Sequence, residues 1–297
     1  KSTLLKGMKP DLNINLAREG EYLSHLKDPE LIERSCKAIK KKRPVILVDE
    51  VQRIPSILNT IQSLIDDNPQ YRFLLSGSSA RKLNRGQANL LPGRVISEKM
   101  FPLTFWEMQE NWSSGRLKKC LTHGSLPGLV DSDLATDILD SYADIYLREE
   151  IQAEALTKDL GDYIRFLDVA AEASGQYINY SKMASETEIN KEKIRRFTQI
   201  LQDTLLIHRL EAFETGPSKR KVRQKDRFLF FDNGVRNAIL KKTKNQFTPT
   251  ELGPLFETWI IQQIMAFISY YQKPWKISSY RDDQNLEVDL IIETGKK

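Results

Sequence analysis

Two adjacent carboxylates, Asp49 and Glu50, follow directly on the apolar run Val45-Ile46-Leu47-Val48, and a Lys1-Ser2-Thr3 triplet opens the chain. A continuous hydrophobic run is the signature of a buried parallel strand, and open α/β sheets bind their ligands beyond the carboxyl ends of such strands. The triplet is what remains of the phosphate-binding loop G-x-x-x-x-G-K-[ST] when it is cut before its lysine. In that chemistry Lys1 reaches the β- and γ-phosphates of ATP, and Ser2, with Thr3 beside it, supplies hydroxyl oxygen to Mg²⁺. Asp49 holds the metal, and Glu50 polarises the attacking water. Water at its own pKa is a poor nucleophile, which gives the second acid a use. Taken singly, Lys1 reads equally as a solvated chain end and the acid pair as a strand exit; their order and separation favour a nucleotide site.

These residues need a scaffold, and the pattern around them supplies one. Ser2 to Lys9 should start the helix after the phosphate loop, whose N-terminal N–H groups face the anion. Asp11 to Leu16 alternates like a strand, Leu23 to Lys42 and Ser56 to Asp67 carry helical periodicity, and Tyr71 to Leu75 is a further short strand. The β-α-β alternation predicts a parallel sheet. The last strand runs into Ser76-Gly77-Ser78-Ser79, where Ser78 is the candidate hydroxyl for sensing a γ-phosphate; a turn that caps the next helix is the alternative. Arg94, in Pro92-Gly93-Arg94 before a strand-like Val95 to Met100, is the candidate arginine finger supplied to a neighbouring copy, and an ion pair fixing its loop is the alternative.

The partial phosphate loop, Ile46-Leu47-Val48-Asp49-Glu50-Val51-Gln52, Leu75-Ser76-Gly77-Ser78-Ser79, Pro92-Gly93-Arg94 and Tyr146-Leu147-Arg148-Glu149-Glu150-Ile151 occur together. In that combination the chain resembles, over essentially its whole length, the prokaryotic AAA-type P-loop ATPases that carry a C-terminal domain of unknown function. The resemblance implies ATP and Mg²⁺ as cofactors. It also implies a winged-helix-like segment and a restriction-endonuclease-like fold after the ATPase core, and no settled physiological role.

The remaining chain is consistent with that order. Leu103 to Arg148 is helical in pattern, with breaks at Gly115 and around Gly124 to Gly128, and suggests a lid over nucleotide. Three helices follow, Tyr163 to Ala173, Ser181 to Glu186 and Asn190 to Asp203, the last capped by Asn190 and carrying Ile194, Phe197, Ile200 and Leu201 on one face. This is a helix-turn-helix pattern. Its third helix presents Lys191, Lys193, Arg195, Arg196 and Gln199 on the opposite face. A strand pair, Leu205 to Phe213 and Arg227 to Phe231, flanks a loop containing Lys219, Arg220, Lys221 and Arg223. Helix and loop together suit duplex DNA phosphates; a solvated charged face is the plainer alternative. In Phe230-Phe231-Asp232-Asn233-Gly234, Asp232 is expected to hold a turn.

Towards the end, Glu257 on a helix with Leu255, Trp259, Ile260 and Ile264 on its apolar face, and Asp289 at a strand start, are similar to the first half of a PD-(D/E)xK nuclease site. The acid-x-Lys half is expected beyond Lys297. Two carboxylates alone do not assemble the metal and water-activating set, so a vestigial site is the expectation.

Composition bounds the rest. At 297 residues, 40% hydrophobic and 29% charged, the chain is ordinary for a folded protein of two or more domains, which excludes disorder throughout. No apolar run approaches the ~18 residues a membrane helix needs. Cys36 and Cys120 form no disulfide framework, which favours the cytoplasm. A net charge of +5 permits nucleic-acid contact without arguing for it.

The fold expected is α/β: a parallel-sheet P-loop ATPase core over 1–105 lacking its first strand, a helical lid over 106–158, a winged-helix domain over 159–240 and a partial restriction-endonuclease-like α/β domain over 241–297. The expected function is ATP hydrolysis coupled to the C-terminal domains, in a homo-oligomer if the arginine acts between copies. The alternatives are a nucleotide-dependent DNA- or protein-binding switch and an ATP-regulated nuclease. Without the loop amides that precede Lys1, the chain as it stands is expected to turn ATP over poorly.

Overall fold

A computed structural model describes residues 1–77, 95–146, 160–213, 225–281 and 286–295. The chain divides into two compact units, Lys1–Glu98 and Lys99–Lys297.

In the first unit, three short strands form a parallel sheet in the order β1 (Leu12–Asn15), β2 (Val45–Asp49), β3 (Arg72–Leu75). β2 is central, and its Ile46, Leu47 and Val48 are fully buried, which is why it reads as unbroken hydrophobicity. Helices α1 (Ser2–Gly7), α2 (Glu19–Lys27), α3 (Leu31–Lys37) and α4 (Ile57–Asp67) connect and flank the strands. α4 buries Ile57, Leu58, Ile61 and Leu64, one side of a helix, in a core shared with Ile14, Ile32, Cys36, Ile46 and Val48. The single helix expected over Leu23 to Lys42 is two. Pro29 falls in its middle, and proline lacks the N–H that a continuous helix needs; the chain instead turns through a hydrogen bond from Leu31 N to Asp28 O. Val95 to Met100, expected as a strand, has no regular structure, and Ile96 is 85% exposed. Among the described residues no strand pairs with it, and a β-prone segment needs a ladder to join.

The second unit begins with α5 (Phe105–Met108), whose Thr104 and Glu107 form a capping box, and α6 (Ser114–His123), capped by Ser113 Oγ accepting from Arg116 N at 3.1 Å. Gly115 therefore lies inside a helix, and the break expected there falls one turn earlier. α6 stops at Gly124, which takes φ +75°, and α7 (Ala135–Ser141) follows. Next come α8 (Leu160–Glu172), α9 (Tyr180–Thr187) and α10 (Lys191–Asp203), close to their expected bounds. Asn190 Oδ1 accepts from Lys193 N at 2.8 Å as the α10 cap. Tyr163, Phe166 and Phe197 form the aromatic centre of this core, with Tyr163 and Phe197 rings 4.9 Å apart.

β4 (Ile207–Leu210) and β5 (Arg227–Phe230) pair antiparallel, α11 (Asn233–Ile239) and α12 (Pro249–Tyr270) follow, and β6 (Lys276–Arg281) pairs antiparallel with β7 (Glu287–Glu293). Phe213 N donates to Ser279 O at 2.7 Å, so the chain leaving β4 runs alongside β6. On α12 the buried side carries Leu255, Trp259, Ile261 and Ala266; Ile260, expected on it, is 36% exposed. One residue is 100° of helix, enough to move a side chain off the packed stripe. Among the described residues no helix is long and apolar enough to cross a membrane.

Candidate functional site

At the carboxyl ends of the parallel strands the polar residues of the first unit converge. Asn15 and Asp49 are register partners at the tips of β1 and β2, and Leu16 N donates to Asp49 O at 3.0 Å. Asp49 is buried, and its Oδ1 accepts a hydrogen bond from the hydroxyl of Ser76, itself buried just past the end of β3. One residue on, the carbonyl of Gly77 accepts from Lys1 Nζ at 3.0 Å. Lys1 and Asp49, 48 positions apart in sequence, thus both bond the Ser76-Gly77 tip. Ser2 and Thr3 open α1, which adjoins β2.

Glu50 leaves the strand in an unusual conformation, φ 58° and ψ 44°. A non-glycine residue in the left-handed region costs about 1 kcal/mol or more and persists where its surroundings over-determine it. Here they do: Val51 N donates to Ser76 O at 3.0 Å, Arg53 N donates to Glu50 O at 3.0 Å, and Gln52 Nε2 donates to Glu50 Oε2. Arg53 adds a brace to β1 by donating to Leu16 O at 2.7 Å and pairing with Glu19 at 3.0 Å.

The donor chemistry fits Mg²⁺. Asp49 carboxylate and Ser2 hydroxyl are hard oxygens, and Mg²⁺ takes one or two carboxylates beside waters and phosphate oxygens rather than an all-protein cage. Among the described residues there is no group of three or more His, Cys, Asp or Glu side chains that could hold a metal. Ser78 and Arg94 lie outside the described residues.

A second locus lies in the other unit. Glu257 on α12 and Asp289 on β7 are brought together, and a guanidinium stands between them. Arg227 Nη2 is paired with Glu257 Oε1, and Arg227 Nη1 lies 3.9 Å from Asp289 Oδ1. The same guanidinium donates to Gly175 O at 2.8 Å through Nε and to Asp289 O at 3.2 Å, and lies 5.5 Å from the Tyr177 ring. Arg227, Glu257, Gly175 and Tyr177 border a cavity of about 710 Å³ that also meets Lys182, Lys225 and Arg281. The carboxylate pair already has a cation of its own.

On α10, Lys191, Arg195 and Arg196 are exposed opposite the buried Ile194, Phe197 and Leu201. Lys193, expected on that basic face, is partly buried and paired with Asp162 of α8, since its position lies nearer the packed side. Lys219, Arg220, Lys221 and Arg223 lie outside the described residues. Asp232 holds its turn as expected: fully buried, it caps α11 by accepting from Val235 N at 3.1 Å and also accepts from Ser125 N at 2.8 Å. Burial raises its pKa to about 6 against the opposing pull of those N–H groups.

Ser76, Gln52, Gly77 and Arg227 carry these contacts, and none of them was assigned a role of its own from sequence. The only sequence signal is position: Gln52, Ser76 and Gly77 lie within two residues of the paired acids or of Ser78, and Arg227 opens a strand five residues before Asp232.

A three-stranded parallel sheet with acids at its tips, in a mixed α/β chain, is consistent with a P-loop-like core. Residues 1–109 match the family described as an AAA domain, residues 114–246 a domain of unknown function (DUF8612) and residues 252–297 another (DUF4143). Together they support an AAA-type ATPase family with C-terminal domains of unknown function. Curated relatives include an uncharacterised protein of Mycobacterium tuberculosis, 23% identical over 256 residues, covering 84% of this chain and 56% of the relative. An uncharacterised protein of Haemophilus influenzae is 25% identical over 247 residues, 76% of this chain and 60% of the relative. The chain thus spans little more than half the length of these relatives. No solved structure matches it.

Proposed function

We propose that the strand-tip site binds Mg²⁺-ATP and that the full-length protein hydrolyses it. The observation that carries this reading is the convergence of Lys1 and Asp49 on Ser76 and Gly77. Lys1 neutralises charge on the terminal phosphates, while Ser2, Thr3 and Asp49 orient the metal side of the nucleotide. Bound Mg²⁺ would offset the charge that develops on the phosphate oxygens. Glu50 accepts the proton of the attacking water. Ser78 as γ-phosphate sensor and Arg94 as a finger from a neighbouring copy complete the set. Substituting Glu50→Gln in the full-length protein should leave ATP affinity intact and lower turnover by about 10²–10⁴-fold; unchanged turnover removes Glu50 from this role.

Hydrolysis is proposed to act on the second unit. The exposed Lys191, Arg195 and Arg196 on α10, a helix that follows two others and precedes an antiparallel strand pair, support a winged-helix-like contact with duplex DNA phosphates. Such binding should weaken steeply with salt, and neutralising the three residues should reduce that dependence. An active nuclease is the weaker reading, because Arg227 already neutralises the Glu257 and Asp289 pair.

A further inference from the structure

We infer that Gln52 is the positioning residue for the Glu50 carboxylate, and that Gly77 is the gap that admits it. This rests on the reading of Glu50 as the base that activates water. Three observations carry it. First, Gln52 is 5% exposed, and its amide Nε2 donates to Glu50 Oε2, two residues back along the chain. A buried amide aimed at a carboxylate is an expensive way to fill space, since an apolar side chain of the same size would pack there without needing partners.

Second, the backbone is shaped for this contact. Glu50 takes φ 58° and the next three residues close a 3₁₀ turn, Val51–Arg53, which brings the side chains at 50 and 52 to one side. A strained turn between an acid and its amide partner is costly unless the pairing or its use compensates. Third, the neighbouring strand tip makes room. A Cβ built on Gly77 would lie 2.7 Å from Gln52 Oε1, closer than carbon and oxygen can approach, so any larger residue at 77 displaces the amide. Gly77 is also where Lys1 Nζ bonds, through its carbonyl. The tip therefore fixes the spacing between the cation that meets phosphate and the carboxylate that meets water.

Proton abstraction in flight depends on sub-ångström placement, and misplacing a base by about 1 Å costs on the order of 10²-fold in rate. Gln52→Met keeps length and bulk but removes both amide groups. In single-turnover ATP hydrolysis by the full-length protein it should lower kcat roughly 10- to 100-fold, while ATP affinity, read by titration with a fluorescent ATP analogue, changes by less than about 2-fold. Gly77→Ala retains the Lys1 acceptor carbonyl and should do the same by pushing the amide away.

The decisive arm repeats Gln52→Met in the Glu50→Gln background. A residue that acts through Glu50 adds nothing there, whereas a residue that merely packs the strand tip lowers the residual rate by the same factor as before. Additive losses, or wild-type kcat in both Gln52→Met and Gly77→Ala while Glu50→Gln is inactive, overturn the role of Gln52 alone. Unchanged turnover in Glu50→Gln overturns the base and the positioning role together.

Discussion

Replacing Arg227 by methionine should destabilise the second unit by about 3–4 kcal/mol, and the distribution of that cost tests why the guanidinium is there. Its side chain is 4% exposed, Glu257 is 31% exposed and Asp289 62%. The Asp289 contact is long and wet, so it contributes well under about 1 kcal/mol. The Glu257 pair, discounted for its partial solvation, contributes about 1–2 kcal/mol. The backbone carbonyls of Gly175 and Asp289 lose a charged donor, at about 1 kcal/mol or more each. Methionine keeps much of the apolar stem, so no large cavity adds to the sum. All four tryptophans, Trp106, Trp112, Trp259 and Trp275, lie in this unit, so urea unfolding followed by tryptophan fluorescence reports on it alone. The expected order of losses is Arg227→Met, then Glu257→Gln at about 1–2 kcal/mol, then Asp289→Asn at less than about 0.5 kcal/mol. Loss of less than about 1 kcal/mol in Arg227→Met, or an Asp289→Asn variant as damaged as Arg227→Met, would refute the reasoning.

Other consequences concern the junction of α6 with α11. A Cβ on Gly234 would lie 2.1 Å from the carbonyl oxygen of His123, which is backbone and cannot move aside; Gly234→Ala should cost about 3 kcal/mol in the same urea assay, and a cost under about 1 kcal/mol would contradict the packing. Asp232, its pKa raised by burial from 3.8 to about 6, binds its proton more tightly in the folded chain than in the unfolded one. Its contribution to stability is therefore most favourable below about pH 4 and is lost as pH rises through about 6, with a slope approaching 1.4 kcal/mol per pH unit between. Asp232→Asn should remove that slope from the stability–pH curve, and an unchanged curve would assign it to other groups.

Much of the first unit was legible because its chemistry and its burial coincide in sequence. The run Val45 to Val48 ends in Asp49 and Glu50, so the strand that sits between two others also presents the acids. The helix of α10 was equally readable from Asn190 and the spacing of Ile194, Phe197 and Leu201. What could not be read depended on contacts between distant positions. The contact of Ser76 with Asp49 has no local signal, because only the parallel register of β2 and β3 puts that hydroxyl on the acid. Arg227 looked like the start of a strand, and its partners stand 30 and 62 positions later, joined to it only by the packing of α12 and β7 on β5. Local signals also mislead: Pro29 divides a periodic stretch, Gly115 is tolerated inside a capped helix, and the β-prone Val95 to Met100 has no partner strand among the described residues.

The most direct test of the nucleotide site is a titration of the full-length protein with a fluorescent ATP analogue, with and without Mg²⁺, in wild type, Lys1→Ala and Asp49→Asn. Convergence of Lys1 and Asp49 on one triphosphate predicts that Lys1→Ala weakens binding about 10-fold or more under both conditions and that Asp49→Asn abolishes the gain from Mg²⁺. Affinities in both variants equal to wild type, with the same response to Mg²⁺, would contradict it.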